Sequence, residues 1–169
     1  AMSMTHLDDT IDIHVGGHDL VFPHHENEIA QSEAATGERF VKYWLHVRLL
    51  ETGGEKMSSS LQNFFTVKNA LDEFGVNAIR MFLLSTSYRQ KQTYSEETLD
   101  EAVERWERLE RAYDRGVTAI DSSDAYAKIE DSSFRDAVET QRREFTRAMN
   151  DDFNTREAIA ALLEIASSI

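Results

Sequence analysis

The chain has 169 residues, 18 of them Lys or Arg and 31 Asp or Glu, for a formal charge of −13. With 41% apolar and 29% charged residues it is too apolar for disorder, and it contains no run of about 18 apolar residues that could form a transmembrane helix. Cysteine is absent, which excludes a disulfide scaffold and a cysteine nucleophile, and the first ten residues lack the basic and apolar stretches of a secretory signal.

The length allows one domain or two small ones. Ile11-Asp12-Ile13-His14-Val15 alternates apolar and polar residues and is β-branched, which predicts a strand ended by Gly16-Gly17. Phe22-Pro23 opens a helix expected from His24 to about Ala35, because proline suits a first turn whose N–H needs no partner. Gly37 fits its stop. Tyr43 to Leu50 reads as a second strand, and 52–60 as a polar, glycine-hinged loop. Strand, helix and strand in succession predict a parallel α/β unit.

From Thr66 the periodicity becomes helical. Val67, Ala70, Leu71 and Phe74 share a face, Gly75 ends that segment, and Asn77 is expected to cap a second one through Leu83. A long helix starts at Ser95, carrying Leu99, Ala102, Val103, Trp106, Leu109 and Tyr113 on its apolar side. Ser95 followed by Thr98 is not a full capping box, although Glu96 and Glu97 suit the helix N-terminus. A polar connection over 121–131 precedes helices expected at 132–149 and 155–168. The last one reaches the chain end without a stop signal, which reads as truncation. All six histidines, the single proline and five of the seven glycines precede residue 65. A site-rich region therefore comes before a helical one.

Only five of the 18 cations are lysine. An acidic chain poor in lysine argues against a phosphate-binding surface. At molar salt, where the Debye length is about 3 Å, such a surface instead supports solubility. A high-salt habitat and a plain acidic domain both fit.

Pro23-His24-His25-Glu26-Asn27-Glu28 is the densest polar cluster. His24 and Glu28 are four apart on one helical face and can converge on a single ion, with His25 as the rival partner of Glu28. The bland alternative is a solvated helix start. Gly16-Gly17-His18-Asp19 lies between strand and helix, where a ligand can approach the backbone and Asp19 could accept from ribose hydroxyls; a tight turn explains it equally well. Gly54-Glu55-Lys56-Met57-Ser58-Ser59-Ser60 offers one lysine and three hydroxyls that could close over phosphates, or be a solvated linker.

The block from Gly17 through Pro23-His24-His25-Glu26-Asn27-Glu28 to Ala34 resembles the zinc-helix region of cysteinyl-tRNA synthetases. Gly54 to Ser60, with Leu61-Gln62-Asn63-Phe64, resembles their KMSKS loop, and Asn150-Asp151-Asp152-Phe153-Asn154-Thr155 is similar to a motif of their helical domain. The resemblance implies a mostly α fold. Residues 1–65 would be the remnant of a parallel α/β, Rossmann-like nucleotide-binding domain. Residues 66–94 would form a stem-contact region, and 95–169 the start of a helical anticodon-side domain. It further implies a fragment, with the HIGH-motif half and two zinc-ligating cysteines upstream.

His24 and Glu28 match the remaining zinc ligands. His14, Gly17, Asp19, Lys56, Ser58 and Ser59 match positions at ATP, adenylate or substrate, with Lys56 and Ser59 in the catalytic loop. The implied reaction is ligation of L-cysteine to tRNA(Cys) with ATP in the cytoplasm, with the isolated fragment inactive and unable to hold zinc tightly. Two departures stand out. Ser59 replaces a family lysine, so Lys56 is left as the loop's cation, and Val15 replaces a third glycine. Arg80, Arg89 and Lys91 could meet phosphate or simply pair with acids. Two rivals are a cysteine ligase of the mycothiol pathway and a non-catalytic helical module that binds tRNA or protein.

Overall fold

The computed structural model describes residues 2–52, 55–56, 66–120 and 132–169, with the backbone alone at 52, 55, 56 and 132. Ser58, Ser59 and the connection expected at 121–131 lie outside the described residues. The chain forms two compact units, Ala1–Leu50 with Tyr88–Gln92, and Glu51–Ser87 with Thr93–Ile169.

The first unit begins with α1 (Met2–His6) and β1 (Ile11–Gly17). A 3-10 turn (His18–Leu20) and a wide turn (Val21–His25) lead into α2 (Glu26–Thr36), and β2 (Val41–Val47) follows. Phe22 is extended, with φ −132° and ψ 133°, so helical geometry is entered at Pro23, as the proline predicts. Gly37 closes α2 with φ 75° and donates to the Glu33 carbonyl. β1 and β2 pair in parallel, with Ile13 opposite Tyr43, His14 opposite Trp44 and Gly16 opposite His46. The expected α/β unit is therefore present.

Alternation then sorts the side chains. Ile11, Ile13 and Val15 share a face with Val41, Tyr43 and Leu45. Asp12, His14 and Gly16 share the other with Lys42, Trp44 and His46. Phe40 and Val41 are buried at the strand entry, where Ile11 N–H donates to the Phe40 carbonyl and Phe40 N–H donates to Glu33 Oε1. The second strand was expected to reach Leu50. It stops at Val47 because Arg48 N–H donates to the Tyr88 carbonyl instead of continuing the ladder.

The chain passes into the second unit within β3 (Leu50–Thr52), which is antiparallel to β4 (Glu55–Lys56), with Glu51 opposite Lys56. β5 (Gln92–Tyr94) lies on the other side of β3. The helices are α3 (Val67–Leu84), α4 (Glu96–Ile120), α5 (Ser132–Asn150) and α6 (Thr155–Ser168). The two segments expected either side of Gly75 abut without a linker, because Gly75 takes φ 79° and ψ 162° and turns the axis in one residue. Thr66 caps α3 by accepting from Asn69 N–H.

Ser95 and Thr98 do complete a reciprocal box, contrary to expectation. Ser95 Oγ accepts from Thr98 N–H and Thr98 Oγ1 accepts from Ser95 N–H, so the threonine hydroxyl does the work usually given to glutamate.

The core of this unit is built from small residues. Ala70, Ala78, Met81 and Phe82 of α3, Leu99, Ala102 and Ala112 of α4, Ala148 of α5, and Ala158, Ala161 and Ala166 of α6 are buried. α3 packs on α4, α5 on α6, and α4 on α6. Alanines let the helix axes approach closely, and Leu99, at 0% exposure, fills the space they leave. Tyr113, expected on the apolar stripe, is exposed. Among the described residues no helix is long and apolar enough to cross a membrane.

Candidate functional site

The polar face of the first unit's sheet gathers the histidines. His14 and Trp44 sit side by side through the strand register, with ring centroids 4.7 Å apart. The wide turn and α2 deliver His25 and Glu28 onto the same face. His25 is the one buried polar or charged residue among those described. Its ring packs against Trp44 at 4.8 Å and meets the edge of His14 at 5.2 Å. Burial, with His46 alongside, lowers its pKa below the usual histidine value, so the ring is neutral at pH 7.

Gly16 makes this seat possible. A Cβ there would fall 2.5 Å from His25 Cε1 and 2.6 Å from Nε2, closer than any side chain tolerates. The ring occupies the space a side chain would have taken. On its other edge, His25 Nδ1 lies 2.8 Å from His46 Nε2 in a hydrogen bond. His46 in turn stacks parallel to Trp44, with 3° between planes.

Glu28 is the acidic centre. Its Oε2 is buried and has no hydrogen-bond partner; His14 Nε2 stands off at 3.4 Å. Its Oε1 is 4.0 Å from His24 Nε2. Donor atoms of His14, His25 and Glu28 lie within 4.8 Å of one another. Two imidazoles and a carboxylate oxygen form a donor set suited to zinc, and a buried carboxylate oxygen left unpaired is the kind of group a cation would satisfy. The residues present therefore fit a metal.

The predicted site residues separate into groups. His14 and Glu28 come together. His24 stands at the rim, largely exposed, while its rival His25 is buried in the middle. Gly17 and Asp19 also come together, since a Cβ on Gly17 would lie 2.5 Å from Asp19 Oδ1. The Asp19 carboxylate thus folds back over the glycine at the end of β1. Lys56 is described by its backbone alone, paired with Glu51 in the second unit. Arg89 lies over the Tyr88 ring at 5.1 Å. Sequence reasoning missed His46 and Trp44. The available signal was alternation, which puts both on one face of a strand that the parallel unit must pair with Ile11-Asp12-Ile13-His14-Val15.

Residues 1–104 match the family described as tRNA synthetases class I (C) catalytic domain, and residues 144–169 match the DALR domain. Proteins named Cysteine--tRNA ligase from Halobacterium salinarum and Haloarcula marismortui are 68% and 64% identical over all 169 residues. One from Thermococcus onnurineus is 42% identical over 99% of the chain. The chain spans 34% of the length of the first two and 36% of the third. A solved ternary complex of Agrobacterium radiobacter K84 agnB2 LeuRS with tRNA and LeuAMS shares the fold, with TM-score 0.75 at 19% identity, covering 93% of this chain and 22% of that one. With the parallel unit, the histidine-lined sheet face and more than half its length matched, the chain belongs to the class I tRNA synthetase (C) catalytic-domain family.

Proposed function

We propose that this chain is part of a cysteine--tRNA ligase, which activates L-cysteine with ATP and transfers it to tRNA(Cys) in the cytoplasm. The observation that carries this reading is the unpaired, buried Glu28 oxygen among imidazoles, on a sheet face whose sequence matches the family. In the first step the cysteine carboxylate attacks the α-phosphorus of ATP and pyrophosphate leaves. In the second a terminal ribose hydroxyl of tRNA attacks the adenylate carbonyl and AMP leaves.

Each residue has a part in this reading. His24 and Glu28 hold zinc, with His25 as the rival nitrogen donor. When bound, zinc supplies a soft electrophilic centre that takes a thiolate in preference to a hydroxyl, which separates cysteine from serine. His14 lies beside Glu28 and faces substrate. Gly17 leaves room at the end of β1 for the Asp19 carboxylate, which accepts from the ribose hydroxyls of the adenylate. Lys56 neutralises phosphate charge while Ser58 and Ser59 hydrogen-bond it; with a hydroxyl at 59 the loop has one cation, so positioning outweighs neutralisation. The divisions at 65/66 and 94/95 belong to this reading, as does a high-salt habitat, supported by the scarcity of lysine.

Cysteine-dependent ATP–pyrophosphate exchange on the full-length protein, at low and at molar salt with serine as control, tests it. Exchange with cysteine alone is expected, and greater at molar salt. Charging of a glucosamine-inositol acceptor instead of tRNA would transfer the chain to the mycothiol-type ligases. tRNA binding without any exchange would leave a helical binding module.

A further inference from the structure

Charge is not spread evenly along this acidic chain. Residues 39–50 and 74–95 contain none of its 31 Asp and Glu, yet hold six of its 18 Lys and Arg. Glu38 and Glu51 bound the first stretch, and Glu73 and Glu96 the second.

The fold brings the two stretches together. Arg48 N–H donates to the Tyr88 carbonyl at 2.9 Å, and residues 88–92 belong to the same compact unit as 39–50. Arg89 follows Tyr88 by one Cα step of about 3.8 Å, and Lys91 lies two residues further, so the three long side chains reach one region. Arg48, Arg89 and Lys91 are all exposed. Arg89 sits over the Tyr88 ring, which restrains the guanidinium without cancelling its charge. The other two cations of the first stretch are engaged at the far end of β2, where Arg39 donates to the Lys42 carbonyl and Lys42 pairs with Asp12.

An exposed strip of this kind holds a lone small anion poorly, because water competes and salt screens a single pair. A partner with regularly spaced charges meets all three cations at once and releases its counterions. Arginine, two of the three, adds paired N–H donors that match phosphate oxygens. Acids would repel such a partner, and these two stretches have none. We propose that Arg48, Arg89 and Lys91 form a contact surface for the phosphate backbone of RNA. The inference deepens the ligase reading, on which the identity of that RNA as tRNA(Cys) rests.

The test is binding of a tRNA(Cys) transcript to the full-length protein across a salt series, read by fluorescence anisotropy. Arg48→Gln/Arg89→Gln/Lys91→Gln should bind about tenfold more weakly at low salt. The slope of log K against log salt should become shallower by about 2 to 3. Arg48→Lys/Arg89→Lys keeps the charge and should keep the parent slope. Arg105→Gln/Arg111→Gln/Arg115→Gln removes as much charge from the acid-rich α4 and should keep it too. Urea midpoints establish that each variant is folded. Should the triple variant unfold, Arg48→Gln alone, which leaves the backbone bond to Tyr88 in place, should lower the slope by about 1.

A parent affinity and slope in the folded triple variant overturn the proposal. So does an equal loss in the α4 variant, which would trace the effect to net charge rather than to this surface. Polyglutamate held by the parent and lost in the triple variant, with tRNA binding intact, would give the surface to an acidic protein instead. Cysteine-dependent pyrophosphate exchange by the parent separates the two failures. Exchange with unmoved slopes leaves the ligase reading standing without this surface, whereas a shallower slope in the triple variant without parental exchange keeps the RNA surface and removes the ligase reading.

Discussion

The two units of the chain handle polar groups in opposite ways. The first turns an entire sheet face over to histidine, tryptophan, aspartate and lysine, and drives His25 and a Glu28 oxygen out of water. The second buries mostly alanine with a few larger apolar residues, and keeps its charge outside in short-range pairs such as Glu101–Arg105 and Glu107–Arg111. Burying polar groups costs stability unless they are paired, while alanine packing costs little and yields little per residue. The first unit is therefore organised around what it can hold, and the second around holding its own shape.

Substitutions can break or sharpen this contrast. The largest effect is expected in the second unit. Leu99→Ala should open a cavity and cost about 3 kcal/mol, read as a drop in urea midpoint at constant slope. If Leu99→Ala were nearly neutral, the alanine-lined core would be collapsing around the gap. Gly16→Val should cost about 2 kcal/mol in the first unit by driving a side chain into His25. Amide exchange should show β1 and β2 loosened, with α4 and α6 as protected as before.

A smaller effect tests the cap of α4. Ser95→Ala should cost about 1 kcal/mol, and Thr98→Ala a similar amount, because each hydroxyl accepts the other residue's N–H. The double variant should cost less than the sum, since the two form one box. The smallest is Glu101→Gln on the exposed face of α4, at about 0.3 kcal/mol in dilute buffer. That difference should vanish in molar salt, whereas the Leu99 penalty should persist.

What could be read from the sequence follows from how local each signal is. The strand at 11–15, the glycine stop at 37, the helix over 155–168 and the break at Gly75 depend on neighbours a few residues away, and all appear where expected. The end of β2 was misplaced because Arg48 finds its partner 40 residues later, at Tyr88. The Ser95–Thr98 box was discounted because residue type favours glutamate, while geometry needs only an acceptor at the right reach. His24 and Glu28 were visible as an i,i+4 pair. That His25 would be the buried one depends on Gly16 and His46, two strands brought side by side by the parallel register, and no spacing along the chain encodes that. Lys56 is described by its backbone alone, paired with Glu51, and the hydroxyls at Ser58 and Ser59 lie outside the described residues.

The hairpin between α5 and α6 carries one more consequence. Asp152 and Phe153 both sit in the left-handed region, at φ 53° and 54°, before Asn154 caps α6 by accepting from Glu157 N–H. Aspartate tolerates that region, but an aromatic side chain there costs about 1 kcal/mol or more. Phe153 is also 46% exposed, so its burial returns only part of that cost. In a library randomised at 152 and 153 and sorted for folding alone, glycine and asparagine should displace phenylalanine. A sort that also demands the protein's activity and still retains Phe153 would mark the position as one kept for contact with something outside the fold.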